Sequence, residues 1–332
     1  MQPLPPPVLH SLSADDGWLL RVWDYRPAFS APRAARAVVV LGHAMMVDSW
    51  TLRRDDRPTL AAVLVAAGFR VLVPDLRGHG ESGPVASDGG DWTYDDLIAD
   101  VRHYVDLAAS VEPELPVLLV GHSLFGQVSL AWQGTRNDPR VHAIAALACD
   151  MWNRRFEPSW WRRLLKRLLY WIPMMIIELV GYLPIRWARF GSADEPRSYW
   201  RQAWSWLRSN RWCSVDGKTD YWAALEALDV PVLHLVSEGD WIMGRPQSAS
   251  RWTAPVATRE LVVLGRDDAP GELAKLRPSH MALVTDPANK LAWHWVAGWL
   301  GRAAEPAEAA APSSADDEPE RGRATGWDHD ED

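Results

Sequence analysis

The sharpest chemistry in the sequence lies in Val117-Leu-Leu-Val-Gly-His-Ser-Leu-Phe-Gly126, where an apolar run ends in Gly121-His122-Ser123 and a helix-like stretch follows. A serine held on a tight strand-to-helix corner presents its hydroxyl at the edge of a sheet, and small residues beside it let strand and helix pass closely. Gly121 supplies one of these. Phe125 stands two residues after the serine, where a second glycine is usual, and Gly126 follows it. An ordinary serine N-cap is the competing reading of this segment taken alone.

A serine hydroxyl becomes a useful nucleophile only when a base takes its proton and a carboxylate fixes the tautomer of that base. Downstream, Asp240 follows the apolar run 232–236, with Glu238 a near competitor, and His280 lies in the loop-like Arg277-Pro-Ser-His-Met-Ala282 ahead of a final helix. His103, His142, His234 and His294 fall inside predicted helices or strands and read as structural. Acyl chemistry also needs amide donors for the developing oxyanion. Leu124, directly after the serine, offers one. The segment Val38-Val-Val-Leu-Gly-His-Ala-Met-Met46 offers a second through Ala44 or Met45, with Gly42 permitting a tight turn.

These residues need a scaffold, and the hydrophobic pattern describes one. Short apolar strands are expected over 18–23, 37–41, 69–73 (closed by Pro74), 117–120, 143–147, 232–236 and 260–264. Helices are expected over 59–67, 93–109, after Ser123, over 247–253 and over 289–300. Such alternation predicts an α/β fold, a mostly parallel sheet with helices on both faces. Residues 1–150 and 214–302 form its core. Between them the composition changes: residues 151–215 hold nine of the 21 tryptophans and twelve Lys or Arg against four Asp or Glu, so 151–213 reads as an insertion.

Gly68-Phe-Arg-Val-Leu-Val-Pro-Asp-Leu-Arg-Gly-His-Gly-Glu-Ser82 is similar to the strand and loop ahead of the elbow in α/β-hydrolases of the esterase, lipase and serine-aminopeptidase type. With Gly121-His-Ser-Leu124, Gly126-Gln127 and Ser279-His-Met281, the chain resembles that superfamily from about Trp18 to Leu300. The resemblance implies Ser123 as nucleophile, His280 as base and Asp240 as the orienting acid, with Asp150, after the strand before the insertion, at the acid position of some relatives. It also implies that the Trp-rich insertion is a helical cap over the site. His43-Ala44 departs from the usual His-Gly of the oxyanion loop, and Phe125, in place of the elbow glycine, is expected to crowd the elbow or narrow the acyl pocket. Relatives that open epoxides or remove halide carry aspartate at the nucleophile position, and Ser123 points away from both.

The activity expected is hydrolysis of a carboxylic ester or related acyl bond through an acyl-enzyme, on a small-molecule acyl substrate of apolar character and without a cofactor. Acyl transfer or thioester cleavage is the alternative within the same chemistry. A non-catalytic binding protein of this fold is the alternative outside it, motivated by Phe125 and Ala44.

Composition bounds the rest. Of 332 residues, 48% are hydrophobic and 23% charged, enough for a sizeable core. Ten of the 43 acids and two of the 35 bases lie in 303–332, which leaves 33 of each in the body. A neutral body gives no footprint for nucleic acid, and 303–332 reads as a disordered acidic tail. Two cysteines, Cys149 and Cys213, make no disulfide framework, and the start of the chain lacks the pattern of a secretory signal, so a cytoplasmic location is expected. The run 168–185 nears the length of a membrane span, but Pro173, Glu178, Gly181 and Pro184 interrupt it, predicting a pair of hydrophobic cap helices. Arg162, Arg163, Lys166 and Arg167 beside Trp160, Trp161 and Trp171 predict peripheral membrane contact through the cap; a solvated helix face accounts for the same charges.

Overall fold

A computed structural model describes residues 4–27 and 35–305. In chain order it contains β1 (Val8–Ser13), β2 (Leu19–Tyr25), β3 (Val38–Gly42), α1 (Trp50–Arg53), α2 (Leu60–Ala66), β4 (Arg70–Asp75), α3 (Tyr94–Val111), β5 (Val117–His122), α4 (Leu124–Arg136) and β6 (Val141–Leu147). Then come α5 (Trp160–Val180), β7 (Tyr182–Leu183), α6 (Ile185–Ala188), β8 (Glu195–Pro196), α7 (Arg197–Ser209) and α8 (Tyr221–Ala224). The chain finishes with β9 (Val232–Ser237), α9 (Pro246–Trp252), β10 (Arg259–Leu264), α10 (Ala282–Thr285) and α11 (Lys290–Ala303).

Eight strands form one sheet in the order β1-β2-β4-β3-β5-β6-β9-β10. β1 and β2 run antiparallel to their neighbours and every other pairing is parallel. The continuous apolar strands split by their period of two. Val38, Val40, Val117 and Leu119 face the core shared with α3, α4 and α7, whereas Val39, Leu41, Leu118 and Val120 face the one shared with α2 and α11. Both faces are therefore covered, as the runs of Val and Leu require. This is the α/β-hydrolase arrangement, and it sends the ends of β3, β5, β6 and β9 toward one edge.

Three local expectations change. Pro74 does not close its strand: β4 continues to Asp75, with Pro74 paired to Val22 of β2, because pairing to β3 has already ended at Leu72. β1 is a strand that the hydrophobic pattern does not predict, because its apolar residues Val8, Leu9 and Leu12 do not alternate and three prolines precede it; it lies at the edge of the sheet, largely exposed. The run 168–185 is not a helix pair. α5 passes unbroken through Pro173, since burial of Lys166 and Ile177 fixes the helix on both sides of it.

Residues 151–213 contain α5, β7, α6, β8 and α7, with α5 packed on α7 and α7 on α3. No helix among the described residues is long and apolar enough to cross a membrane. The expected acidic tail beyond Glu305 lies outside the described residues.

Candidate active site

β5 delivers Ser123 to the sheet edge on a backbone with φ 52° and ψ −108°, a conformation a serine adopts only when its surroundings enforce it. The Ser123 N–H donates to Leu147 O of β6 at 2.9 Å, and Gln127 N–H donates to Ser123 O at 3.1 Å, so strand and helix grip the corner from both sides. A Cβ on Gly121 would overlap the backbone of Gly126, and one on Gly126 would overlap Cys149 Sγ. The second small residue of the elbow is thus Gly126, one position later than the usual pattern. Phe125 neither crowds the elbow nor narrows a pocket. It is buried among core residues near Tyr104, with its ring against Gly42, where any Cβ would collide with it. Gly42 is required for that ring rather than for a tight turn.

Asp240 and His280 come together: Asp240 Oδ2 lies 2.6 Å from His280 Nδ1. The carboxylate is itself fixed by the amides of Met243 and Gly244, which donate to its two oxygens at 2.9 and 2.8 Å. His280 is tied to the elbow through His122, whose Nε2 lies 3.0 Å from His280 O. Burial, and then the neighbouring His280, push the His122 imidazole well below the ordinary range, so it is neutral and donates this bond. Ser123 Oγ and His280 are not hydrogen-bonded to each other; such contacts commonly tighten only around substrate. Glu238 faces Arg266 at 3.4 Å instead. His103, His142, His234 and His294 lie on α3, β6, β9 and α11.

Of the expected amide donors, Leu124 and Met45 line the same cavity as Ser123, whereas Ala44 is buried beside it and is not part of the lining. Leu124 opens α4, so its N–H has no intrahelical acceptor. His43 supports the loop in a defined tautomer, with Nδ1 donating to Ala44 O at 2.7 Å and Nε2 accepting from Leu76 N at 3.0 Å. Burial, reinforced by His79, lowers its pKa to about 4 and keeps it neutral.

Glu195, which the sequence did not single out, holds this loop from outside. It lies on β8, is buried, and accepts from Met46 N–H at 2.6 Å, while Ala193 N–H donates to Met46 O at 3.1 Å. Met46 sits at φ 64°, and these two bonds hold it there. The same carboxylate lies 3.2 Å from His79 Nε2 in the Arg-Gly-His-Gly loop. Burial alone depresses the His79 pKa, but Glu195 outweighs it and the net shift is upward. The one signal available for it is composition: Glu195 is one of four acids in the otherwise basic segment 151–215.

Ser123 opens into a cavity of about 970 Å³ lined by Met45, Leu124, Ile172, Ile176, Leu183 and Trp200, among others. Asp150 reaches this cavity but does not contact His280. Its oxygens take Lys166 Nζ at 2.9 Å and Ser248 Oγ at 2.7 Å. Lys166 also lies 3.3 Å from Glu157, which pairs with Arg245 at 2.7 Å. Lys166 is 1% exposed, so it cannot meet a membrane, which corrects its place in the expected basic cluster. Burial raises the Asp150 pKa to about 6 against the opposing pull of Lys166.

Residues 33–261 match the family described as serine aminopeptidase, S33. The chain belongs to this family. It is an α/β-hydrolase, and the match spans β3 to β9 of the sheet together with the insertion. Among curated relatives, phospholipase YtpA of Bacillus subtilis (strain 168) is 30% identical over 79 residues, 24% of this chain and 29% of that protein. The chain therefore aligns with less than a third of that relative's length. An esterase of Exiguobacterium antarcticum superposes with TM-score 0.59 at 14% identity, covering 89% of this chain and all of that one. A thermophilic esterase of Thermogutta terrifontis, solved with malate bound, gives 0.56 at 18% identity, covering 91% and 100%. At these identities the solved structures establish the shared fold. The family match makes this S33 α/β-hydrolase an enzyme.

Proposed function

We propose that this enzyme hydrolyses a carboxylic ester with an apolar acyl chain, through an acyl-enzyme on Ser123. The observation that carries the reading is the His280–Asp240 hydrogen bond behind a serine held at positive φ on the wall of an apolar cavity. His280 Nε2 takes the hydroxyl proton as Oγ bonds to the carbonyl carbon, and Asp240 steadies the imidazolium. The oxyanion receives the amides of Leu124 and Met45. Collapse breaks the carbon–oxygen bond and the departing alkoxide takes the proton from His280. Water then attacks the acyl-enzyme with His280 as base, releasing acid and restoring Ser123.

The lining supports this substrate class. A cavity of this size, walled by Leu, Ile, Met, Trp and Tyr, recognises length and bulk rather than polar detail. Each buried methylene contributes roughly 0.8 kcal/mol. Across p-nitrophenyl esters from acetyl to dodecanoyl, kcat/KM is expected to rise a few-fold per carbon until the cavity fills. The fluorophosphonate adduct should map to Ser123. Preference for acetyl over octanoyl defeats the acyl pocket, and full inhibition without an adduct on Ser123 defeats the mechanism.

A further inference from the structure

α5 turns the wrong face outward for a helix of a water-exposed protein. At about 100° per residue, Trp160, Leu164, Leu168, Trp171, Met175 and Leu179 fall within one arc of about 100°, and all six are exposed, Trp160 at 74% and Leu179 at 86%. The buried side is narrow, centred on Lys166 and Ile177. Glu178 is the sole acid in the arc, and both of its oxygens are bonded by Arg201 of α7, at 2.9 and 2.8 Å. Just past the helix, Trp187 and Phe190 are 86% and 80% exposed. A contiguous outward apolar stripe of this kind marks a surface that meets something other than water.

The two flanks of the stripe say what it meets. On one side Arg163 and Arg167 of α5 join Arg154 and Arg208 around a groove of about 460 Å³ between α5 and α7. Arg163 donates only to backbone carbonyls, of Glu157 and Pro158. None of these four guanidinium groups pairs with a carboxylate among the described residues. Four like charges sharing one groove repel unless an anion enters, and a guanidinium fork matches phosphate oxygens. On the other flank Leu169, Ile172 and Ile176 line the cavity that holds Ser123, and Trp187 and Phe190 line it too.

We propose that the α5–α7 groove binds the phosphate of anionic phospholipid headgroups, and so seats the apolar stripe of α5 and α6 in a membrane surface with the cavity mouth opening into the acyl region. An acyl chain could then pass from lipid to Ser123 without crossing water. This differs from the cluster expected of the sequence: Lys166 is taken inward, while Arg154 and Arg208, distant in the chain, complete the site. Docking is read without turnover, so its failure and that of the ester reading are separate results.

The experiment is co-sedimentation of the full chain with vesicles of phosphatidylcholine alone and with about 30% phosphatidylglycerol, at low and high salt. Binding should require the anionic lipid and fall with salt. Arg154→Gln/Arg167→Gln/Arg208→Gln should weaken it on the order of 10²-fold. Trp160→Ser/Leu179→Ser, at the two most exposed positions of the α5 stripe, should weaken it while leaving the arginines in place, and unchanged melting of both variants serves as the folding control. Failure of the wild type to bind anionic vesicles overturns the proposal. So does binding of inorganic phosphate without vesicle binding, which makes the groove a free-anion site, or a dimer that Trp160→Ser/Leu179→Ser dissolves in the absence of vesicle binding, which makes the stripe a contact between copies.

Discussion

Two buried aspartates follow strands at the same edge of the sheet, and they have been put to opposite uses. Asp240, after β9, receives two backbone amides and an imidazole. Asp150, after β6, receives an ammonium from α5 and a hydroxyl from α9. A carboxylate held by amides is stationary and can orient a neighbour that must gain and lose a proton. A carboxylate matched to a buried lysine has its charge already spent, and the pair instead ties the insertion to the core. What separates the two acids is what the rest of the fold brings to them, not their place on the sheet.

The largest break of this contrast is at the proposed nucleophile, which only Asp240 is placed to serve, through His280. Ser123→Ala should lower ester turnover by up to ~10⁶-fold, because residues that act as a unit lose their effect together. In that background Asp240→Asn should cost almost nothing further. A substantial second loss would show that Asp240 contributes outside the serine chemistry.

The next effect ranks the acids directly. Asp240→Asn should reduce kcat on the order of 10⁴-fold by admitting the wrong imidazole tautomer, with the melting temperature nearly kept. Asp150→Asn should change kcat by a few-fold at most, since Asn can still accept from Ser248 and Glu157 remains beside Lys166. The reverse ranking would transfer the orienting role to Asp150.

That assignment is partly legible in the amino-acid sequence. The serine, its strand and the order Ser, Asp, His lie in local sequence, where an apolar run followed by Gly-x-Ser carries its own geometry. Spacing does not choose between Asp240 and Glu238; the choice depends on the Met243 and Gly244 amides turning back on one carboxylate. The offset of the elbow glycine to Gly126 is visible as letters, but its meaning comes only from the packing of Phe125 on Gly42. Least legible are Lys166 and Glu195. Each reads as an ordinary charge in a basic helical segment, and each is buried by a partner more than 15 residues away. Long-range pairing leaves no periodic mark in a sequence.

Glu195 extends the contrast to a third acid, which holds the loop proposed to bind the oxyanion. Glu195→Ala removes the acceptor of Met46 N–H and frees a residue at positive φ, so the Met45 amide loses its fixed direction. We expect kcat to fall roughly 10- to 10²-fold, less than loss of a donor outright, with KM little changed. Glu195→Gln keeps an acceptor oxygen and should recover most of the rate. An equal loss in both variants would mean that the charge opposite His79, rather than the bond to Met46, is what the loop needs.

The smallest effect is thermal, and it tests what Asp150 does. Its pKa is raised by burial to about 6, against an ordinary value of 3.8. Between those values the folded protein holds a proton that the unfolded chain has released, so stability from this group is fullest below about pH 4 and is lost as pH rises through about 6. Asp150→Asn cannot titrate. The melting temperature of wild type minus that of Asp150→Asn should therefore shrink by a few degrees from pH 4 to pH 7, other groups cancelling in the difference. Were the difference to grow with pH instead, Lys166 would be holding Asp150 ionised more strongly than burial opposes it, and the tie between insertion and core would be an ion pair over most of that range. With the raised pKa, Lys166→Met should destabilise more at pH 7 than at pH 4, because the aspartate left buried without its cation is ionised only at the higher pH.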